Sequence, residues 1–435
     1  SSALQSNTTA SNNTAVGYQA GYGVTGTSNT AVGYQSQLAS STATYCESFG
    51  SYSLRSNTSG SYNTAIGTSA LYSNTTGNYN IAMGYNAMSV NTTGGSNVSL
   101  GYQSLYSNTT ASNNTAVGYQ AGYSNTTAPG GTAVGYQALY TNSTTGYNTA
   151  VGYQAGKLNT TGSITAIGSF SLSANTTGIA NTAVGGSYDY ALLSNTTGSY
   201  NTALGDGSLR YNTTASNNTA VGYQASYTST TGTRITAIGY QAMKGGVSAD
   251  GSYSVAVGSY AMTSITTGQS NAAVGDNSMG LTTTGSQNAV IGNSGLYSNT
   301  TGSYNTALGA SALFSNTTAS NNTAVGYQSL YTNTTSAYYT ALGTQSFYSL
   351  SNGGTDNAGG VAVGYRAGYA TSTGIDNSFV GALSGRFNTT GSYNTTLGAS
   401  ALYNNTTASN NTAVGFQAGY SNTTGAQSTV FGAYA

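Results

Sequence analysis

Histidine and tryptophan are absent from this 435-residue chain, proline and cysteine occur once each, and charged residues make up only 3%. Without histidine, the ordinary zinc sites and the Ser-His and Cys-His catalytic pairs cannot be assembled. A single cysteine, Cys46, rules out an intrachain disulfide framework. Its expected state is an unpaired, buried or half-buried thiol. Seven basic residues balance seven acidic ones, so there is no electrostatic footprint for nucleic acid or an anionic membrane. No apolar run reaches the roughly 18 residues of a spanning helix. No basic-then-apolar leader opens the chain, so any targeting signal is expected to lie outside this sequence. The expectation is no cofactor, no nucleic acid and no membrane insertion.

What remains is glycine (61), tyrosine (39), and large amounts of Asn, Thr and Ser. Disordered chains are usually charged or proline-rich and poor in aromatics. At 11% aromatic residues and one proline, this chain is not of that kind.

A pentapeptide of the type Asn-Thr-Ala-Val-Gly recurs from Gly17 to Gly432, and most of its intervals equal the seventeen-residue step from Gly101 to Gly118. Two intervals, into Gly33 and Gly168, are one residue shorter, and three, into Gly205, Gly258 and Gly364, are longer. With this glycine as position 0, position −1 is apolar in every repeat: Val16, Val32, Ile66, Val117, Val134, Val151, Val221, Val325 and Val414 are examples. So uniform a column is expected to be the core. Position −2 is small, and position +4 is often leucine, as in Leu71, Leu105, Leu139 and Leu172. In several repeats it is glycine, as at Gly21, Gly122, Gly156, Gly368 and Gly419. A fully buried Leu lost in this way would leave a costly cavity, so that face is expected to be half buried or filled by other chains.

Short β-branched and apolar runs, separated in every repeat by Gly and Asn-Thr clusters, predict an all-β fold. It is a parallel β-solenoid, or β-roll, of about 25 coils with two short strands per turn. Residues 1–435 form one uncapped repeat array, expected to be a segment of a longer fibre. Helical repeats are poor rivals because Gly, Asn, Thr and Ser dominate every unit. In a solenoid, like residues stack at about 4.7–4.9 Å. Asn, Thr and Tyr gain from that stacking, whereas repeated charges repel.

Five of the seven basic residues, Arg55, Lys157, Arg210, Lys244 and Arg386, fall at position +5, in a column otherwise held by Tyr22, Tyr72, Tyr106, Tyr123 and Tyr140. That column is expected to form an exposed aromatic stripe. A second tyrosine column at position +1 (Tyr18, Tyr34, Tyr85, Tyr102) also admits Asp206 and Asp276, and is expected to be accessible.

The pentapeptides Asn13-Thr14-Ala15-Val16-Gly17, Asn63-Thr64-Ala65-Ile66-Gly67 and Asn201-Thr202-Ala203-Leu204-Gly205 resemble the repeat of trimeric autotransporter adhesin heads. The whole unit, as in Asn305 to Gly326, is similar to long repeat arrays of phage tail-fibre and bacterial surface proteins. The resemblance covers the entire chain and implies a left-handed roll assembled as a homotrimer. The chain departs from the adhesin heads in its longer period and its tyrosine columns.

Asn-Thr-Thr elements place Asn74, Asn91, Asn108, Asn125, Asn299, Asn316 and Asn422 in N-x-S/T acceptor patterns. Turn chemistry with an amide ladder is the favoured reading, and a glycan coat the sharper one. The longer coils carry Asp189, Asp250 and Asp356, expected in protruding loops. Isolated carboxylates make poor calcium sites, and no metal site is expected.

These features predict a non-enzymatic, extracellular shaft: a virion tail fibre, or a microbial surface filament or adhesin. It would be homo-oligomeric, with a trimer favoured, and would meet surface glycans many times over through Tyr, Asn and Thr. A glycan-coated scaffold filament and an ice-binding solenoid are the alternatives. Adjacent Thr-Thr pairs count against ice binding, since neighbours on a strand point to opposite faces. A polysaccharide-cleaving solenoid would need carboxylates clustered in one groove, and seven scattered acids do not supply them.

Overall fold

The computed structural model describes residues 2–245, 250–351 and 359–435. The chain falls into two compact units, Ser1–Asn217 and Asn218–Ala435. Strands β1 (Thr14–Val16) to β12 (Thr202–Leu204) belong to the first, and β13 (Thr219–Val221) to β25 (Thr429–Phe431) to the second. Among the described residues there is no helix. Each unit is a parallel β-solenoid in which a short strand pairs with the equivalent strand one coil on. The predicted stacking is observed: Val117 pairs with Val134, and Val134 with Val151. Among the described residues there is one strand per coil, not two, because the remainder runs through turns with recurrent left-handed residues that pair backbone between rungs without extended geometry.

Longer coils do not disturb the register. Ala183 pairs with Ala203 across the long coil into Gly205, Ala237 with Ala256 across that into Gly258, and Ala341 with Ala362 across that into Gly364. In the coil into Gly205 the extra residues around Ser187, Tyr188 and Asp189 leave the stack as a bend, and neither rung shifts.

The apolar column at −1 is not the core. Val16 is 59% and Ile66 39% exposed, while Val32, Val117, Val134, Val151, Val221, Val325 and Val414 are half-buried. Alternation along a strand sends −3 and −1 outward and −2 inward, and the inward residues Ala116, Ala133 and Ala150 are buried. So short a coil is too narrow to hold a large side chain at −2 in every rung, and the small column is the inner one. Buried alanines at +3 (Ala70, Ala87, Ala121) and leucines at +4 complete the apolar interior.

Each strand ends at the repeat glycine. Gly118 has φ +133°, and a Cβ there would lie 2.5 Å from the carbonyl oxygen of Gly135 in the next coil. The leucines at +4 are fully buried, contrary to the half-buried expectation, and they sit in the left-handed region: Leu105 has φ +46° and Leu139 +49°. That conformation costs an L-residue roughly 1–2 kcal/mol. Glycine at +4 removes the strain, and the neighbouring coil fills the space: a Cβ on Gly122 would lie 3.0 Å from Leu105 Cδ2.

Candidate functional site

Two amide ladders line the interior. In the first, at +7, Asn74 Nδ2 donates to Asn57 Oδ1 at 2.9 Å and to the Gly77 carbonyl at 3.0 Å, and Asn91 repeats the pattern onto Asn74 and Gly94. In the second, at −4, the Asn80 backbone N–H donates to Asn63 Oδ1, and Asn63 Nδ2 donates to the Gly77 carbonyl. Thr75 Oγ1 donates to the Thr92 carbonyl of the next coil, and Thr92 to that of Thr109. The Asn-Thr-Thr element is therefore turn and ladder chemistry. Asn74, Asn91, Asn108, Asn125, Asn299 and Asn316 are all 5% exposed or less. This overturns them as glycan acceptors, because an amide facing the coil interior has no room for a sugar. Asn422 is half-buried and exchanges two hydrogen bonds with Gly425.

The outer surface carries three tyrosine columns. Those expected at +5 (Tyr22, Tyr72, Tyr106, Tyr123, Tyr140) are only half-buried and less open than the column at +1, where Tyr18 is 50% exposed. A third column, at −5, escaped the sequence reading: Tyr45, Tyr62, Tyr79 and Tyr147 belong to it, and Tyr147 is 79% exposed. The tyrosine directly before the pentapeptide was its signal. Rings stack on their counterparts one coil away. Tyr85, Tyr102, Tyr119, Tyr136 and Tyr153 form one stack with centroids 5.0–5.3 Å apart and planes within 15°.

Such stacks present ring edges and hydroxyls to solvent, because both faces of an inner ring lie against its neighbours. Burial raises the Tyr123 phenol pKa above its ordinary value, and the Tyr140 and Tyr106 phenols add to the rise. The same holds for Tyr348 between Tyr369 and Tyr331.

Arginine enters these columns by stacking in its turn. Arg55 lies over Tyr52 and Tyr72, and Arg386 over Phe387 and Tyr403. A planar guanidinium replaces a ring with retention of contact.

Of the three expected loop carboxylates, Asp189 is not a free tip. It pairs with Arg210 of the next coil, and Asp206 accepts the backbone N–H groups of Ser187, Tyr188 and Asp189 at 3.1–3.2 Å. The loop is bound down by charge, and its tip is Tyr188, 90% exposed. Asp250 is half-buried and accepts from Ser252 and Gln269. Asp356 lies outside the described residues. Cys46 takes an Asn position of the inner ladder and donates to the Gly60 carbonyl; desolvation pushes its thiol up to about 11.

Among the described residues no group of three or more His, Cys, Asp or Glu could hold a metal ion. No protein-family model matches the chain, and no curated protein resembles it in sequence.

Proposed function

We propose that this chain is the shaft of an extracellular fibre, either a virion tail fibre or a microbial surface filament or adhesin. It is non-enzymatic, a left-handed roll assembled as a homotrimer, and meets surface glycans weakly and many times over. The observation that carries this reading is the in-register stacking of like on like through each unit, in the strands, the two amide ladders and the tyrosine stacks. Such a stack lengthens by adding rungs and gains rigidity with each. Because the ring faces are occupied, glycan contact here runs through the phenol edges and the outward threonines, with avidity coming from number. Electron microscopy of the purified chain tests the reading: straight rods are expected, and compact or flexible particles would overturn it.

One observation favours ice binding as a second reading. Threonine at −3 points outward beside the −1 column, with an unbroken run at Thr115, Thr132, Thr149, Thr165, Thr182 and Thr202. The adjacent Thr-Thr pairs, which argued against ordered water, are not the residues on this face. A thermal hysteresis assay without activity would remove this reading.

A further inference from the structure

Among the described residues, nothing covers the outward face of the strands in either unit. Phe49, Leu204, Ile291, Leu342 and Leu397 are 42–57% exposed along position −1, and that column is apolar in every repeat. Soluble monomers rarely leave contiguous apolar patches beyond a few hundred Å². We infer that this strand face, positions −3 and −1, is where a second copy of the chain docks. The inference rests on the shaft reading and names the surface through which the shaft assembles.

Three features select that occupant. The first is period: a partner without the same rung spacing of about 4.7–4.9 Å would fall out of step within a few coils, whereas a second copy matches every rung. Register held across the long coils keeps that match intact. The second is size. Each of the strands β1 to β12 in the first unit puts two outward side chains on this face, which together reach the roughly 20–30 residues a side of a stable interface. The third is charge: Glu47 is the only ionic residue at −3 or −1, so two copies meet with no more than one like-charge contact. Ordered water is the weaker occupant. Threonine at −3 is replaced in several repeats, by Ile81, Val98 and Val255 among others, whereas −1 is never polar. The feature kept throughout is the one that gains from burial.

Sedimentation of the full chain at micromolar concentration is expected to give a multiple of 43.5 kDa; the mass of a single chain overturns the inference. Lysine at Val117, Val151, Val184, Val257, Ile291 and Val325, on non-adjacent coils, is expected to reduce that mass to one chain with the circular dichroism retained. A folded variant that keeps the multiple overturns the inference, since the copies would then meet elsewhere. Should the variant not fold, thiol labelling decides. Ile291→Cys and Tyr304→Cys start from similar exposure within one chain, 57% and 61%. Maleimide is expected to react at least tenfold more slowly at 291, and equal rates sink the claim. Rods of single-chain mass would remove this inference and the homotrimer, and leave the rest of the shaft reading standing. Particles that are not rods would remove the shaft reading.

Discussion

Phe379 and Gly385 are complementary halves of one packing arrangement: a Cβ on Gly385 would lie 2.5 Å from the Phe379 ring. Phe379 occupies the inward position −2, where the other coils carry a smaller residue, and it is fully buried. Gly385 and Gly368, both at +4, surrender their side chains to make room. Tyr339 and Gly360 repeat the exchange at −4, where Tyr339 is 1% exposed and a Cβ on Gly360 would lie 3.0 Å from its ring. In an array of near-identical rungs, pairing one coil out of step costs little. These large-for-small exchanges make one register fit and its neighbours clash.

Phe379→Ala is therefore expected to destabilise the second unit by about 3–5 kcal/mol. Gly385→Leu in the wild-type background is expected to destabilise through overpacking and left-handed strain. The two together are expected to lose less than the sum of the single changes. Denaturant unfolding of the double-mutant cycle checks this, and simple additivity would dissolve the pairing.

Asn91→Ala removes the bond to Asn74 Oδ1 and the acceptor of one Asn108 Nδ2 hydrogen in the buried +7 ladder, while Asn108 keeps its bond to the Ala111 carbonyl. A loss of about 1–3 kcal/mol per unsatisfied buried group is expected. Because coils contact only their neighbours, the effect is local. Hydrogen exchange is expected to quicken in the coils around residue 91 and to stay unchanged near residue 190.

Gly131→Asn is expected to stabilise. Gly131 interrupts the −4 ladder beside a small cavity lined by Asn114, Gly122 and Asn125. Its backbone N–H already bonds Asn114 Oδ1 at 2.7 Å, and the close contact of a Cβ there is that same side-chain oxygen at 3.2 Å, which has to give slightly. Restoring the amide is expected to add about 0.5–1.5 kcal/mol, read from the denaturation midpoint.

Alkaline pH is expected to loosen the aromatic stacks. Burial, then neighbouring phenols, raise the pKa of Tyr123 and Tyr348 above the ordinary 10.0, so folding favours the neutral form. The stability this contributes is complete below pH 10, and is lost as pH rises through the folded-state values. Melting temperature should be level through neutral pH and fall above pH 10, in step with phenolate absorbance. A fall that begins near neutrality would contradict the assignment.

Cys46, with its thiol near 11, is expected to resist alkylation. At pH 8 roughly one thiol in a thousand is ionised, and the group is buried. Iodoacetamide should modify it only after denaturation.

The period, the parallel stacking and the residue types that stack are written in the repeats, because each follows from repetition at a spacing that rewards like beside like. Val117 above Val134, the asparagine ladders and the tyrosine stacks were all legible in that way. Which side of each residue faces inward was not. The apolar −1 column and the small −2 column differ by one residue on a strand, and a one-residue step reverses the face. Only the width of the closed coil decided that Ala133 is inside and Val134 outside, that the acceptor-like asparagines are sealed in, and that Leu105 fills the space beside Gly122. Those outcomes depend on contacts between coils, which no single repeat contains.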